Sequence, residues 1–249
     1  MDAQNQNYSK QTQIVLPQLT SQVTVKNFMA NVFSFMFLAL GISAVFAYLF
    51  STNPELRNYL INETGTGLNV LGYIVMLAPI GFVLLMSLGY ARLSAPVLMI
   101  LFVVFAGIMG ISFGFILIQY TTGSVLGCFL SASAMFGVMA VMGYTTKQDL
   151  TSFGRIMIMG LIGIVIASLI NFFLQSDTMD YVISFIGVMV FTGLTAYDVQ
   201  KLKRIGEGIE AEGTPAVEVK KRSIMGALSL YLDFINLFLF LLRLFGSKR

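Results

Sequence analysis

Seven apolar segments, each close to the length that a bilayer requires, constrain this chain more than any other feature. They cover about residues 28–50, 70–90, 95–118, 123–143, 155–175, 181–199 and 224–245. About 20 apolar residues in a helix cross the hydrocarbon core, and a helix satisfies its backbone hydrogen bonds internally. Only 11% of the residues are charged, against about 25% in soluble domains. The sequence therefore predicts an all-α, polytopic membrane protein with seven transmembrane helices.

The segments predict a single transmembrane domain at 28–246, preceded by a polar tail at 1–27. The tail lacks the basic and apolar pattern of a signal peptide. A charged, glycine-containing stretch at 200–223 predicts a flexible cytoplasmic loop. Gly110 and Gly114 have the spacing that lets two helices approach closely, which we interpret as packing within one molecule.

Basic residues are distributed unevenly between the two ends of the predicted segments. With a cytoplasmic N-terminus, 11 of the 15 Lys and Arg residues fall on the cytoplasmic side, as the positive-inside rule favours. Four fall on the other side, three of them near the C-terminus. If the last segment re-entered instead of crossing, both termini would be cytoplasmic and 14 would share that side. The sequence leaves both topologies open.

Several kinds of chemistry are excluded by composition. The chain has no histidine, so histidine catalysis, histidine metal ligation and a histidine pH switch are absent. Its one cysteine, Cys128, lies inside an apolar segment, where we expect a packing role. The net charge of +3 comes from basic residues in short loops beside the segments, which are topology signals rather than a nucleic-acid surface. We expect no cofactor.

Two aspartates, Asp198 and Asp233, are the acidic residues of the last two segments, and segments one to five carry no charge in their apolar interiors. Asp233 lies about nine residues into the seventh segment, roughly 13 Å deep at 1.5 Å per residue. A carboxylate at such depth costs roughly 2.5–3.5 kcal/mol on insertion scales, so it indicates a function. Ser229 and Asn236 share its helix face. This polar face predicts that the seventh segment is interior to the bundle.

The fifth segment carries a thinner polar stripe, which includes Ser168 and Asn171. We expect this stripe and that of the seventh segment to contribute to one polar, pore-facing interior. Structural alternatives exist for both acids. Asp233 could form a hydrogen bond that fixes helix packing, and Asp198 could be an interfacial charge paired with Lys201 at i, i+3.

The stretch 227–246, ALSLYLDFINLFLFLLRLFG, resembles the terminal signature of the Bax inhibitor 1 family. The stretch 196–201, AYDVQK, resembles the family's signature at the end of the sixth helix. The resemblance implies a seven-helix bundle with the last helix at its centre and a pH-sensitive calcium leak. It also implies that Asp198 and Asp233 form a hydrogen-bonded pair that closes the pore. A basic residue at the inner end of the second segment is implied as a latch for Asp198, and Arg92 is the one that matches.

The chemistry of two adjoining carboxyl groups agrees with such a gate. They share a proton because both cannot ionise cheaply, which supplies a pH switch without histidine. Two carboxylates are too few for a tight calcium site, which has 6–8 oxygen ligands, but they suit transient binding of a passing ion. Asp198 and Asp233 are therefore the predicted gating pair and the predicted transient metal ligands.

The resulting hypothesis is a calcium leak channel gated by protons, with calcium, protons and the lipid bilayer as its partners. The alternative is a regulator that binds another membrane protein, such as a membrane protease, through the tail at 1–27. We expect no enzyme, because neither aspartate lies in the Gly-x-Gly-Asp pattern of intramembrane aspartyl proteases. Compact loops and the absence of a targeting peptide favour the plasma (inner) membrane of a bacterium, with the N-terminus cytoplasmic.

Overall fold

The protein is a helical bundle. The computed structural model describes residues 2–62 and 67–248, with side chains from residue 24 onward except that of Glu210. The described helices are α1 (Asp2–Thr52), α2 (Pro54–Asn58), α3 (Val70–Gly89), α4 (Ala95–Gln119), α5 (Thr122–Thr145), α6 (Thr151–Leu174), α7 (Asp177–Ala211) and α8 (Ala216–Phe245). Within the described residues, seven helices are long and apolar enough to cross a membrane, and α2 is the short exception. The predicted all-α fold with seven transmembrane helices is confirmed.

Helix α8 lies at the centre of the bundle. It packs against α1, α4, α5 and α7, while α3 packs on the outside of α4 and α6 on the outside of α7. Its side chains are buried on nearly every side, including Tyr231, Leu230 and Leu237, which have no exposed surface. A helix surrounded by helices needs no lipid-facing side, which is why it tolerates Ser, Asp and Asn. The prediction that the seventh transmembrane helix is central is confirmed.

The end of α8 and residues 246–248 lie at the end of the bundle where α4 meets α5 and α6 meets α7, which we call the C-terminal face. The amide of Thr121 donates to the carbonyl of Ser247 at 2.9 Å. Arg243 lies 3.9 Å from Asp180 at the start of α7. Helix α8 therefore runs through the whole bundle and does not re-enter. The chain crosses seven times, and the two ends of its transmembrane region lie on opposite faces.

The opposite end, which we call the N-terminal face, gathers the turn at 90–94 and the loops at 146–150 and 212–215. Arg204 of α7 binds Asp149 at 2.7 Å there. Hydrogen bonds from Thr151 and Arg204 lower the pKa of Asp149 to about 2. The side chains of the polar tail before residue 24 lie outside the described residues, so its use as a handle for a partner stays a prediction.

The stretch 200–223 differs from the predicted loop, because it is helical except at residues 212–215. Helices α7 and α8 extend beyond their apolar parts, and ion pairs join their charged side chains. Arg222 lies 3.3 Å from Glu212, and Lys203 lies 3.9 Å from Glu207 one turn away. The charges and glycines that suggested a loop belong to helix ends that project past the apolar zone.

Three glycines allow close helix crossings. A β-carbon at Gly110 of α4 would lie 2.5 Å from the carbonyl oxygen of Ser43 in α1, and Gly114 lies against Phe50 of the same helix. A β-carbon at Gly143 of α5 would collide with the carbonyl oxygen of Ala196 in α7. The glycine pair of α4 thus packs within the molecule, as predicted from its spacing.

Candidate functional site

Asp198 and Ser229 join α7 to α8 through one hydrogen bond. The Ser229 hydroxyl donates to Oδ2 of Asp198. Asp198 is half-buried at the inner part of α7, where the chain leaves its apolar run. In the described residues Asp198 makes no ion pair with Lys201 within 4.0 Å. The Lys201 charge still acts on the Asp198 carboxyl electrostatically, so the i, i+3 alternative for Asp198 stays a prediction.

Asp233 lies one helical turn beyond Ser229 on α8, on the same helix face. Only 6% of it is exposed. Its Oδ2 atom is buried without a hydrogen-bond partner among the described residues. The described side chains show no hydrogen bond between Asp233 and Asp198, so the hydrogen-bonded pair that the resemblance implied is absent from this conformation. Ser229 binds Asp198, and Asp233 lies four residues after Ser229 on the same face of α8.

A cavity of about 540 Å³ leads to this site between α3, α7 and α8. Tyr90 and Arg222 line it at the N-terminal face, and Asp198, Ser229 and Leu232 line its deep part. Leu232 immediately precedes Asp233 on α8. The cavity therefore connects the N-terminal face to Asp198 and Ser229, whereas Asp233 does not line it.

Tyr90 and Glu218 form a contact across the mouth of the cavity that the sequence did not predict. The Tyr90 hydroxyl donates to Oε1 of Glu218. Burial, followed by this hydrogen bond, raises the pKa of Tyr90 to about 12. Lys221 lies 4.5 Å from the centre of the Tyr90 ring and 3.6 Å from Glu218, and only 8% of it is exposed. A separation of 128 residues leaves no sequence signal for the Tyr90–Glu218 contact.

The basic residues of the cavity are Lys201 and Arg222. Arg222 is paired with Glu212 at 3.3 Å and with Glu218 at 3.9 Å. Arg92 is exposed in the turn after α3 and does not line the cavity. The structure thus places Arg222, rather than the predicted Arg92, in the same cavity as the Asp198 carboxylate.

The remaining predicted polar residues are not gathered into one interior. Asn236 is half-buried on α8, and its amide donates to the carbonyl of Leu232 in its own helix at 2.8 Å. Asn171 accepts a hydrogen bond from the amide of Ser176 at 3.1 Å and so caps the end of α6. Ser168 lies half-buried on α6, which packs against α7 on the outside of the bundle. The expectation that Ser168 and Asn171 line one interior with α8 is wrong, because α7 lies between α6 and α8.

A second buried hydrogen-bonded group lies deeper in the bundle. The Ser43 hydroxyl of α1 donates to the carbonyl of Ala106 in α4 at 2.7 Å and lies 2.7 Å from the Tyr231 hydroxyl of α8. Phe105 packs edge-on against the Tyr231 ring at 5.4 Å. The group joins three helices, and the sequence did not predict it. The signal available was Ser43 itself, which is one of three polar residues in segment one with Asn31 and Ser34.

The described residues contain no group of three or more His, Cys, Asp or Glu side chains that could hold a metal ion. Calcium binding at this site would therefore rest on the Asp198 and Asp233 carboxylates with backbone and hydroxyl oxygens. That is fewer charged ligands than tight calcium sites have.

Comparison with known proteins agrees with this architecture. Residues 25–249 match the family described as "Inhibitor of apoptosis-promoting Bax1". The chain is 41% identical to the inner membrane protein YbhL of Escherichia coli K12 over 225 residues, which are 90% of this chain and 93% of YbhL. It is 39% identical over 243 residues to a protein of Rickettsia prowazekii, covering 98% of this chain and 99% of that protein. It is 36% identical over 230 residues to a membrane protein of Streptococcus pyogenes, covering 92% and 96% of the two chains. With the central α8 and its aspartate in place, the chain belongs to the Bax inhibitor 1 family of integral membrane proteins.

Proposed function

We propose that this protein is a pH-sensitive leak pathway for calcium, gated by Asp198 and Asp233. The observation that carries the proposal is the cavity that runs from the N-terminal face to Asp198 and Ser229, one helical turn before Asp233 on α8. An intramembrane acid at the end of a cavity is the arrangement expected for ion or proton passage.

The protons of the two acids set the state of the gate. An ionised carboxylate buried without a partner is costly, so Asp233 is buried at least cost in its neutral form. When the site loses its last proton, two negative charges lie on adjoining turns of α7 and α8 and repel each other. The repulsion favours separation of the helices that the Asp198–Ser229 hydrogen bond holds together.

The conformation described here corresponds to a closed pathway. Beyond Asp233, the side chains of Phe234, Leu237 and Leu241 are buried against neighbouring helices, with at most 4% of each exposed. An ion that reaches Asp233 would need α8 to part from its neighbours before it could continue. Transport under this proposal is therefore slow and coupled to helix movement.

The charged residues in and around the cavity influence which ions can enter it. Lys201 and Arg222 would repel a cation, but Glu212 and Glu218 are paired with Arg222 and reduce its effect. We propose that Arg222 stabilises ionised Asp198 once the helices separate. Arg222→Gln should then weaken calcium flux at high pH, whereas Arg92→Gln should leave it unchanged.

The test is calcium flux into dye-loaded liposomes that contain the purified protein. We expect flux to rise as the pH is raised across neutrality, because ionisation opens the gate. Asp233→Asn and Asp198→Asn should each remove the pH dependence. Asp177→Asn, an exposed acid on α7, is the matched control and should keep it. Wild-type pH dependence in both site variants would refute the gating role, and no flux in any protein would favour the partner-binding regulator.

We also propose that the protein resides in a bacterial inner membrane with its N-terminal face in the cytoplasm. The positive-inside distribution supports this orientation, and the similar YbhL is named as an inner membrane protein. With Cys128 replaced by Ala, Ser87→Cys in the cavity should react with a membrane-impermeant maleimide in inverted membrane vesicles but not in intact spheroplasts. The reverse pattern would contradict the orientation.

A further inference from the structure

A second concave site lies at the opposite end of the bundle from the acidic pair. It is a groove of about 490 Å³ between α1 and α5, with α4 and α8 as its floor. Aliphatic and aromatic side chains form most of its lining, among them Leu40, Leu117, Val125 and Phe129. Because α1 and α5 are transmembrane helices, the groove opens sideways towards lipid rather than towards water.

The groove has the length of one membrane leaflet. Its lining on α1 extends from Leu40 to Thr52, which is about 18 Å at 1.5 Å per residue. Half of the hydrocarbon core is about 15 Å. A single extended chain lying along α1 would therefore run from the C-terminal face to the middle of the bilayer.

The two ends of the groove differ in polarity. Tyr48, Ser51 and Thr52 place hydroxyl groups at the end nearest the C-terminal face, and those of Ser51 and Thr52 donate to the Tyr48 carbonyl at 2.9 and 2.8 Å. The Arg57 guanidinium donates to the carbonyl of Ser51 at 2.6 Å, which places a cation beside that end. The deep end is lined by Leu40 and by side chains of α8. A cation and hydroxyls above an apolar slot match an anionic head group with an acyl tail.

We propose that this groove binds one acyl chain of an anionic phospholipid, with the phosphate beside Arg57 and the tail against α8. The proposal is independent of the calcium pathway. Its floor distinguishes the groove from ordinary lipid contact, because Ile235 and Phe238 line it although only 5% and 6% of them are exposed. A chain in the groove reaches the central helix, whereas lipid at the perimeter reaches only the outer helices.

The test is photo-crosslinking of the full-length protein in phosphatidylglycerol nanodiscs that contain a trace of phosphatidylglycerol with a diazirine near the end of one acyl chain. Crosslinked residues are mapped by peptide mass spectrometry. We expect labelling at Ile235 or Phe238, which are nearly buried and line the groove. Labelling confined to exposed residues of the outer helices would overturn the proposal.

Two pairs of variants sharpen the test. Ala44→Phe places a ring in the groove from an exposed position on α1, and should abolish the α8 labelling. Ala30→Phe, on an exposed part of α1 away from the groove, should retain it. Arg57→Gln should reduce competition by unlabelled phosphatidylglycerol relative to phosphatidylcholine, and Arg155→Gln, exposed at the other face, should not. Equal α8 labelling in the Ala44→Phe and Ala30→Phe proteins, each eluting as a folded species, would overturn the proposal.

Discussion

The hydrogen bonds around Ser43 and Tyr231 make a prediction that can be worked through quantitatively. A serine hydroxyl has a single proton, and that of Ser43 is donated to the carbonyl of Ala106. The 2.7 Å contact between Ser43 and Tyr231 is therefore a hydrogen bond donated by the tyrosine. The two partners depend on each other unequally, because Tyr231 has no exposed surface and no other hydrogen-bond partner in the described structure.

This difference between the two hydroxyl groups sets the expected order of the losses in unfolding free energy. Tyr231→Phe removes one hydrogen bond but leaves Ser43 bound to Ala106, at a cost of about 0.5–1.5 kcal/mol. Ser43→Ala leaves the buried Tyr231 hydroxyl without an acceptor, at a cost of about 1–3 kcal/mol. In the double variant neither unsatisfied group remains, so its loss should be smaller than the sum by about 1 kcal/mol or more.

The chain contains its own reporter for this measurement. Cys128 is the single cysteine and is only 6% exposed, so a maleimide dye reacts with it when the bundle opens. Thermal unfolding of the wild type and the three variants in one detergent gives the order of stability. For a chain of this size, each 1 kcal/mol corresponds to about 2–4 °C in midpoint on the scale of soluble proteins.

Two outcomes would refute the reasoning. If Tyr231→Phe destabilises the protein more than Ser43→Ala, the assignment of donor and acceptor is wrong. If the losses of the two single variants simply add, the two hydroxyl groups do not interact, and the close approach of α1 and α8 is maintained by apolar packing alone.

Three further predictions concern single positions. Gly143→Ala should destabilise the bundle by about 1–3 kcal/mol, because the new β-carbon meets the backbone of α7. Gly137→Ala on the same helix meets open space and should stabilise the bundle by up to about 1 kcal/mol. Equal thermal unfolding midpoints for the two variants would contradict this. The contacts of the Asp149 carboxyl lower its pKa to about 2 from an ordinary 3.8. They therefore stabilise the fold at pH values above 3.8, and this stabilisation is lost as the pH falls through about 2. A carbon-13 titration midpoint of this carboxyl near 3.8 would argue against those contacts. Tyr90, with a pKa of about 12, should ionise at lower pH in the Glu218→Gln variant, because the Glu218 carboxylate and its hydrogen bond contribute to the raised pKa of Tyr90. The ultraviolet difference between each protein and its Tyr90→Phe counterpart measures the ionisation of Tyr90. An unchanged midpoint would exclude the Tyr90–Glu218 contact.

Apolar length and depth were predictable from the sequence. Segments of about 20 apolar residues can only be helices in a bilayer, so the number of crossings followed. The polar face of α8 indicated that Asp233 turns inward, and it lies buried in the bundle centre. These predictions succeeded because each depends on one helix and its solvent.

Contacts between helices were not predictable in the same way. The sequence pattern around Asn171 is that of an interior residue. In the structure, α6 packs on the outside of α7, and the Asn171 side chain caps the end of its own helix. The charged stretch 200–223 was predicted as a loop because its glycines and charges carry no information about the ion pairs that hold it helical. Arg204, for example, donates a hydrogen bond to Asp149, which lies 55 residues earlier in the sequence. The Tyr90–Glu218 contact depends on a helix arrangement that no local pattern encodes.

The central position of α8 has a consequence for biosynthesis. Chains are made from the N-terminus at about 5–20 residues per second, and early parts assemble first. Helices α1 to α7 therefore enter the membrane before the segment that fills the space between them exists. Until the 30-residue α8 has been made, the side chains of α1, α4, α5 and α7 that pack against it have no α8 to contact. A chain that stops before α8 therefore lacks the centre of its bundle rather than an outer helix.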